Sequence, residues 1–337
     1  MDKVAGLAAN ERQDLFAQTA ANRGINPAII EKDFWVCWVL KKLFASKLSG
    51  DLVFKGGTSL SKAHHLIERF SEDIDLVLNW ALLGYGHDGA DPWKKQASNR
   101  KQDKFNKELN KQAQGYIRGK LCPQISELLA SATEVKAVVS ETEFQVIDIH
   151  YPAAFELDAI RPQVKLEIGP LASWVPSSKH TIRPYAADEF PAVFEDPDCP
   201  VVAITAERTF WEKATILHQQ VHRTTQMPAG YSRHYYDLFH LGNSSVKANA
   251  FGDLELLKDV VRFKQQFYLC PWANYEEAFP GTFRLVPRDE INKQLASDYT
   301  AMQAMIFGTA PDWDKIINQM SELESEINGL PTAQPEE

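Results

Sequence analysis

The residues best suited to chemistry are two aspartates that stand two positions apart within an apolar run. Asp73 and Asp75 lie in the segment Ser71-Glu72-Asp73-Ile74-Asp75-Leu76. On a strand, side chains at positions i and i+2 share a face, so the two carboxylates project together while Ile74 and Leu76 face the core. Adjacent carboxylates repel each other unless a cation lies between them. The pair therefore predicts a divalent-metal site, with Mg²⁺ or Mn²⁺ as the cofactor.

A glycine turn precedes the aspartates and predicts a phosphate site. A short apolar run ends in Gly56-Gly57-Thr58-Ser59, and a helix is predicted to follow. Glycine lets the backbone approach a ligand closely, and N–H groups at a helix start attract anions. The hydroxyl groups of Thr58 and Ser59 can add hydrogen bonds, and Lys62 either adds charge near the phosphates or lies exposed on the surface. A triphosphate site beside a divalent-metal site is typical of nucleotidyl transfer.

These motifs also carry a family resemblance. The chain contains the string FKGGTSLSKAHHLIERFSEDIDL, which closely resembles the nucleotidyltransferases of the AbiEii/AbiGii toxin group, a branch of the DNA polymerase β-like superfamily. The resemblance implies that Asp73 and Asp75 are catalytic metal ligands. It also implies a third acidic ligand on a strand between apolar neighbours, and Glu167, between Leu166 and Ile168, is similar to that. The alternative is that Glu167 is an exposed strand residue paired with Lys165.

The second half of the chain contains two further matches to the family. A lysine on one helix and a later aspartate reach into the catalytic cleft in this family, and Lys213 and Asp237 occupy the matching places. Lys213 stands among apolar residues, where a lysine needs an anionic partner such as Asp237 or a triphosphate. A structural salt bridge between the two residues is the alternative, and both roles can hold together. Arg233 is a predicted contact to nucleotide phosphate.

The resemblance implies a toxin of a toxin–antitoxin or phage-defence system. Its predicted reaction is the Mg²⁺-dependent in-line attack of an RNA hydroxyl, at the tRNA 3′ end, on the α-phosphate of an NTP. A cognate antitoxin protein is the implied partner. Two alternatives remain open: transfer to a protein or small molecule, and a non-catalytic module that binds nucleotide or RNA.

Composition sets limits on these predictions. The chain has 337 residues and a net charge of −9, which argues against a protein that coats DNA generally. No run approaches the length of a membrane span, and no secretory signal is apparent, so we expect a cytoplasmic protein without membrane contact. The four cysteines form no Cys-x-x-Cys pair. Residues 94–120 contain nine lysines and arginines against two acids, a stripe that fits either an RNA backbone or a solvated helix face.

Periodicity and turn signals predict the fold class. We expect an α+β protein, with a nucleotidyltransferase-like small mixed β-sheet flanked by helices and a mostly helical C-terminal lobe. The predicted domains are residues 1–184 for the core with N-terminal helices and 200–330 for the helical lobe, with a disordered tail at 331–337. The connector between the domains is placed at the proline-rich residues 184–200. Asn26-Pro27 predicts a helix start, with a cap followed by proline at the first position. Further helices are predicted at 58–69 and at 95–130, the latter with a break near Gly115 or Pro123, and residues 81–96 are predicted to form a loop.

Overall fold

A computed structural model describes residues 1–86, 91, 93–132, 134–155 and 161–331. The chain forms two compact units. The first consists of Met1–His65, Phe70–Gln96 and Lys104–Ile204, and the second of Leu66–Arg69, Ala97–Asp103 and Thr205–Glu337. Most of the predicted tail at 331–337 lies outside the described residues, as do four residues of the predicted loop at 81–96 and Pro92 within it.

The first unit is built on a mixed sheet, as predicted. Its order is β3-β4-β5-β2-β1-β7-β6, with β1 parallel to β7, β2 parallel to β5 and the other neighbouring pairs antiparallel. The strands among the described residues are β1 (Leu52–Lys55), β2 (Asp73–Leu78), β3 (Lys136–Val139), β4 (Val146–His150), β5 (Gln163–Gly169), β6 (Ser177–Ile182) and β7 (Cys199–Ile204).

Helices pack on this sheet and supply most of its core. In chain order they are α1 (Asp2–Ala5), α2 (Ala9–Arg23), α3 (Pro27–Phe44), α4 (Gly56–Lys62), α5 (Asn99–Tyr116), α6 (Cys122–Leu129) and α7 (Tyr185–Glu189). The start of α3 is the predicted one, because the Asn26 side chain accepts a hydrogen bond from the Ala28 N–H and Pro27 occupies the first turn. Helix α3 is buried on nearly every side and joins the core formed with the sheet.

Two helix predictions differ from the structure. The helix predicted at 58–69 ends at Lys62, and the chain turns at His65, whose φ is +54°. The long helix does not break at Gly115 or Pro123: α5 continues through a π-helical segment (Ile117–Leu121) into α6. Pro123 lies in the first turn of α6, directly after the π-helical segment.

The second unit is helical in its described residues beyond Thr205, in agreement with the predicted C-terminal lobe. Its helices are α8 (Ala206–Val221), α9 (Ser232–Gly242), α10 (Ser245–Gly252), α11 (Leu254–Phe267), α12 (Asp289–Met302) and α13 (Trp313–Asn328). The units divide between Ile204 and Thr205, where the Thr205 hydroxyl caps α8, and not within residues 184–200. Those residues contain α7 and the start of β7, because Pro184 stands at the N-cap of α7 instead of in a linker.

The cysteines are all free thiols. Cys37, Cys122 and Cys199 are buried in the first unit, and Cys270 in the second is partly exposed. None of the helices in the described part of the chain combines the length and hydropathy needed to cross a bilayer.

Candidate active site

The carboxylates predicted to bind metal lie on one face of the sheet. Strand β2 alternates, so Ile74 and Leu76 are buried in the core while Asp73 and Asp75 are half-buried on the opposite face. The parallel register with β5 pairs Asp75 with Glu167. Residues paired across neighbouring strands project to the same side of the sheet. The structure therefore brings the three predicted acidic residues to a common face.

The electrostatics of this face favour a bound cation. Burial raises the pKa of Asp73, where the charge of Lys165 acts in the opposite direction and that of Asp75 adds to the rise. Burial also raises the pKa of Glu167, and the charges of Asp75 and Asp73 reinforce it. The Lys165 ammonium lies 3.7 Å from Glu167 and 2.9 Å from Glu143, so the alternative pairing predicted for Glu167 is present as a longer contact.

The donor set suits magnesium. Within the described residues, no three His, Cys, Asp or Glu side chains are gathered into a ready-made metal site. Mg²⁺ seldom needs such a cage, because it is commonly held by one or two carboxylates together with substrate phosphates and water. Asp73 and Asp75 are hard oxygen donors on adjacent positions of one strand face, and Glu167 is aligned beside Asp75. These residues fit a divalent cation that arrives with a nucleotide.

The glycine turn lies directly against one of these carboxylates. Gly56 begins α4 with φ of +81°, and a Cβ atom built there would lie 1.8 Å from Asp75 Oδ2. A side chain at this position would therefore displace the carboxylate. The contact places the first N–H groups of α4, which have no acceptor within the helix, next to the face that carries the carboxylates.

The hydroxyl groups of the turn have a different role from the predicted one. The Thr58 hydroxyl donates to the Asp73 carbonyl at 2.6 Å and to the Ser71 carbonyl at 3.2 Å, and the Ser59 hydroxyl donates to the Gly56 carbonyl at 2.9 Å. Both side chains are buried. The Thr58 bonds fix α4 against the start of β2, and the Ser59 bond lies within α4, so the main chain of the turn is what remains to contact a phosphate.

Lys62 is placed away from any nucleotide contact. Its ammonium lies 2.7 Å from the Asp33 carboxylate and 3.8 Å from the centre of the Tyr185 ring, and both charged side chains are buried. The charge of Asp33 outweighs burial and raises the pKa of Lys62. Because this charge is already paired in the core, we leave Lys62 out of the nucleotide site.

Sequence reasoning missed the anchoring role of α3. Glu31, Lys32 and Asp33 are consecutive charged residues inside an otherwise apolar helix, and all three are buried. The Lys32 ammonium lies 2.6 Å from Glu72, which precedes Asp73, and donates to the Arg161 carbonyl at 3.1 Å, just before β5. Three adjacent charges in an apolar helix were the available signal. One lysine thus ties together the approaches to both strands that carry carboxylates.

In the second unit, Lys213 and Asp237 form an ion pair, which is the structural salt bridge predicted as one of their two roles. The Lys213 ammonium lies 2.7 Å from Asp237 Oδ2, and the Arg69 guanidinium binds the same carboxylate at 2.7 and 2.9 Å. Burial alone would raise the pKa of Asp237, but these two cations hold it well below its usual range. Asp237 is fully buried, so the carboxylate is enclosed by its partners.

Two residues of the first turn of α9, Arg233 and His234, lie near this ion pair. Lys213 also donates to His234 Nδ1 at 3.3 Å. Burial, together with the charges of Lys213 and Arg233, holds the pKa of His234 well below its usual range, so its ring is neutral at neutral pH. Arg233 itself is exposed at the first turn of α9, which leaves its charge available to a phosphate.

Comparison with known proteins places the chain in a family. The family model described as nucleotidyl transferase AbiEii toxin, type IV toxin–antitoxin system, matches residues 38–319. Among solved structures, MenT4, a nucleotidyltransferase toxin from Mycobacterium tuberculosis H37Rv, is similar at 16% identity and a TM-score of 0.43, over 96% of this chain and 98% of that chain. No curated protein gives a significant match. Because the family model spans most of the sequence, the chain belongs to the AbiEii family of nucleotidyltransferase toxins of type IV toxin–antitoxin systems.

Proposed function

We propose that this nucleotidyltransferase moves a nucleotide from an NTP to an RNA acceptor, with the tRNA 3′ end as the acceptor. The observation that carries the proposal is the contact of Gly56 with Asp75 on the face shared by Asp73 and Glu167. This contact supports a triphosphate bound by main-chain N–H groups directly beside two or three carboxylates.

In the proposed reaction, a ribose hydroxyl of the acceptor attacks the α-phosphorus in line with the departing pyrophosphate. A new P–O bond forms while the hydroxyl loses its proton to solvent, and the bond from the α-phosphorus to the bridging oxygen breaks so that pyrophosphate leaves. Asp73 and Asp75 would hold a divalent cation, with Glu167 as a third ligand. The bound ion would neutralise charge on the phosphates during transfer. Gly56 and Gly57 let the backbone approach the triphosphate closely.

Residues of the second unit have supporting roles in this proposal. Asp237 holds Lys213 in a fixed position through the 2.7 Å ion pair. We keep Lys213 and the exposed Arg233 as the proposed phosphate contacts of the second unit, with the difference that the Lys213 charge is shared with Asp237. The buried pair is also structural, so its substitution must be read with a stability measurement beside the activity.

The family supports the remaining parts of the proposal. A type IV toxin–antitoxin system implies a cognate antitoxin, which we propose limits this activity in the cytoplasm. A protein or small-molecule acceptor would meet the same catalytic residues, and the identity of the labelled product distinguishes these acceptors from RNA. A module that binds nucleotide without transferring it would have no use for carboxylates aligned with a phosphate-binding turn.

The test is a transfer assay with α-³²P-labelled NTPs, Mg²⁺ and total RNA. We expect labelled tRNA from the native protein and a loss of about a hundredfold or more with Asp73→Asn. Asp14→Asn, an exposed carboxylate of α2, is the matched control and should retain full activity. Label in protein or small molecules would contradict the RNA acceptor. Absence of any label would favour the non-catalytic module, and an active Asp73→Asn variant would refute the metal site.

A further inference from the structure

One face of α5 carries a line of exposed cations. Lys104, Lys107, Lys111 and Arg118 recur at intervals of three, four and seven residues, which places them on one side of the helix and its π-helical extension. Residues on the opposite side are buried, among them Leu109, Ala113 and Ile117. The helix therefore separates an apolar face from a basic one.

Most of these cations have no carboxylate partner. Across the described part of the chain, Lys104, Lys111 and Arg118 lie beyond 4.0 Å from every acidic side chain. By contrast, the half-buried Lys247 pairs with Glu326 at 2.8 Å and the half-buried Lys258 pairs with Glu255 at 2.6 Å. A row in which three exposed cations lie beyond ion-pair distance of any acid favours the approach of a polyanion, even on a protein of net charge −9.

An exposed aromatic ring lies at the end of this row. Phe144, in the turn between β3 and β4, is 47% exposed, and the Arg118 guanidinium lies 5.6 Å from the centre of its ring. An isolated exposed phenylalanine gains nothing from hydrophobic burial. A ring beside a cation offers a base both a stacking surface and a charge for its phosphate.

Hydrogen bonds tie this turn to α5 and to the catalytic strand. The Gln145 side chain donates a hydrogen bond to the Asn110 side chain of α5 at 3.2 Å. The main-chain carbonyl of Gln145 accepts a hydrogen bond from the Ile168 N–H of β5 at 2.9 Å. The next residue, Val146, pairs with Glu167 in the β4–β5 ladder. Phe144 thus lies between the basic face of α5 and the strand that carries the third acidic residue.

We propose that Lys104, Lys107, Lys111, Arg118 and Phe144 form a binding surface for single-stranded RNA, with phosphates on the cations and one base stacked on Phe144. The inference deepens the proposed function, because it names where the unpaired end of an RNA acceptor would lie beside the carboxylates. Single-stranded RNA fits better than duplex, because a base must be unpaired for its face to cover the ring.

Direct binding tests this surface without NTP or metal. The probe is a fluorescein-labelled single-stranded RNA of about 12 nucleotides, measured by fluorescence anisotropy with the full chain in EDTA. We expect Phe144→Ala to raise the Kd about 5- to 100-fold and Phe144→Trp to restore binding, since stacking contributes about 1–3 kcal/mol per base. Lys111→Gln should reduce the slope of log K against log salt by about 0.7.

Tyr268→Leu is the matched control, because Tyr268 is another exposed ring beside a lysine, on the second unit. It should leave the Kd unchanged. An unaltered Kd for Phe144→Ala, or equal affinity for a 12-nucleotide duplex, would overturn the stacking surface. So would binding of an acidic protein but not RNA. These outcomes are independent of the transfer assay, so an enzyme that labels RNA while Phe144→Ala binds normally would refute this inference and leave the proposed function intact.

Discussion

Gly56 and Asp75 approach each other more closely than any side chain at position 56 would permit. The positive φ of Gly56 and the 1.8 Å spacing to a built Cβ atom are two separate constraints on the same residue. The backbone conformation disfavours every L-residue with a side chain, and the carboxylate occupies the space that the side chain would need. The approach of Asp75 to the glycine turn therefore depends on the absence of a methyl group at position 56.

We therefore expect Gly56→Ala to abolish transfer while it lowers the free energy of unfolding by about 1–3 kcal/mol. The Asp75 carboxylate must move, so metal and nucleotide are no longer held together. Activity and urea unfolding should be measured on the same preparation. Gly50→Ala is the control, because nothing lies within 4 Å of a Cβ there and the φ is ordinary. Equal activity of the two variants would mean that Asp75 is not needed where the structure places it.

The charge of Asp237 is expected to have a large effect on stability, because it neutralises two buried cations. Asp237→Asn leaves Arg69 and Lys213 buried without an anion, so we expect a loss of about 3–5 kcal/mol in unfolding free energy at pH 7. The folded pKa of Asp237 lies below its unfolded value of about 4, so its contribution is complete above that pH and lost as pH falls toward the folded value.

The difference between native and variant protein should therefore shrink as the pH is lowered below about 4, in urea titrations at several pH values. Asp259→Asn breaks an exposed pair with Arg262 and should cost less than about 1 kcal/mol. A native–variant difference that stays constant from pH 7 to pH 3 would contradict the assigned role of the Asp237 charge.

At the scale of elements, α3 anchors the segments around the sheet face that carries the carboxylates. Its buried charges reach in different directions: Glu31 accepts N–H groups of Ala154 and Phe155, Lys32 reaches Glu72, and Asp33 accepts the Tyr185 N–H and pairs with Lys62. Helix α4 begins at the glycine turn and ends at Lys62. The ion pair between Lys62 and Asp33 therefore fixes α4 to α3.

A comparison of a charge-breaking variant with a variant that removes both charges tests this anchor. Asp33→Asn should cost about 3–5 kcal/mol because Lys62 is left buried and unpaired, whereas Asp33→Leu combined with Lys62→Met removes both charges and should recover most of that loss. Chemical unfolding gives the stabilities, and the transfer assay shows whether α4 stays in place. If the double variant is as unstable as Asp33→Asn, the loss comes from packing and not from an unpaired charge.

Across the whole molecule, local patterns in the sequence predicted what local physics determines. The alternation around Asp73 and Asp75, the cap at Asn26 and the helices of the second half follow from periodicity and turn chemistry, and the structure agrees with them. The partner of Lys62 is 29 positions away along the chain, and the two ends of the Arg69–Asp237 pair are 168 positions apart. Tertiary packing selects such pairs, so no window of sequence reveals them.

The boundary between the units was unpredictable for a related reason. Prolines and acids at 184–200 are typical of a linker, yet Pro184 begins a helix whose first N–H is held by Asp33 of α3. The buried Asp33 carboxylate, far away along the chain, thus caps a helix where the sequence pattern predicted a linker. The actual boundary at Thr205 carries only a helix cap, which is a weaker signal than four prolines.

The buried thiols give the first unit an internal chemical reporter. Cys37 and Cys199 are fully buried, and burial raises the pKa of Cys199 to about 12 and that of Cys37 well above its ordinary value. Alkylation requires an accessible thiolate, so iodoacetamide should modify the partly exposed Cys270 first and reach these two only when the first unit opens. Mass spectrometry over time would then record how often that unit opens, and Asp33→Asn should accelerate labelling of Cys37 and Cys199 but not of Cys270.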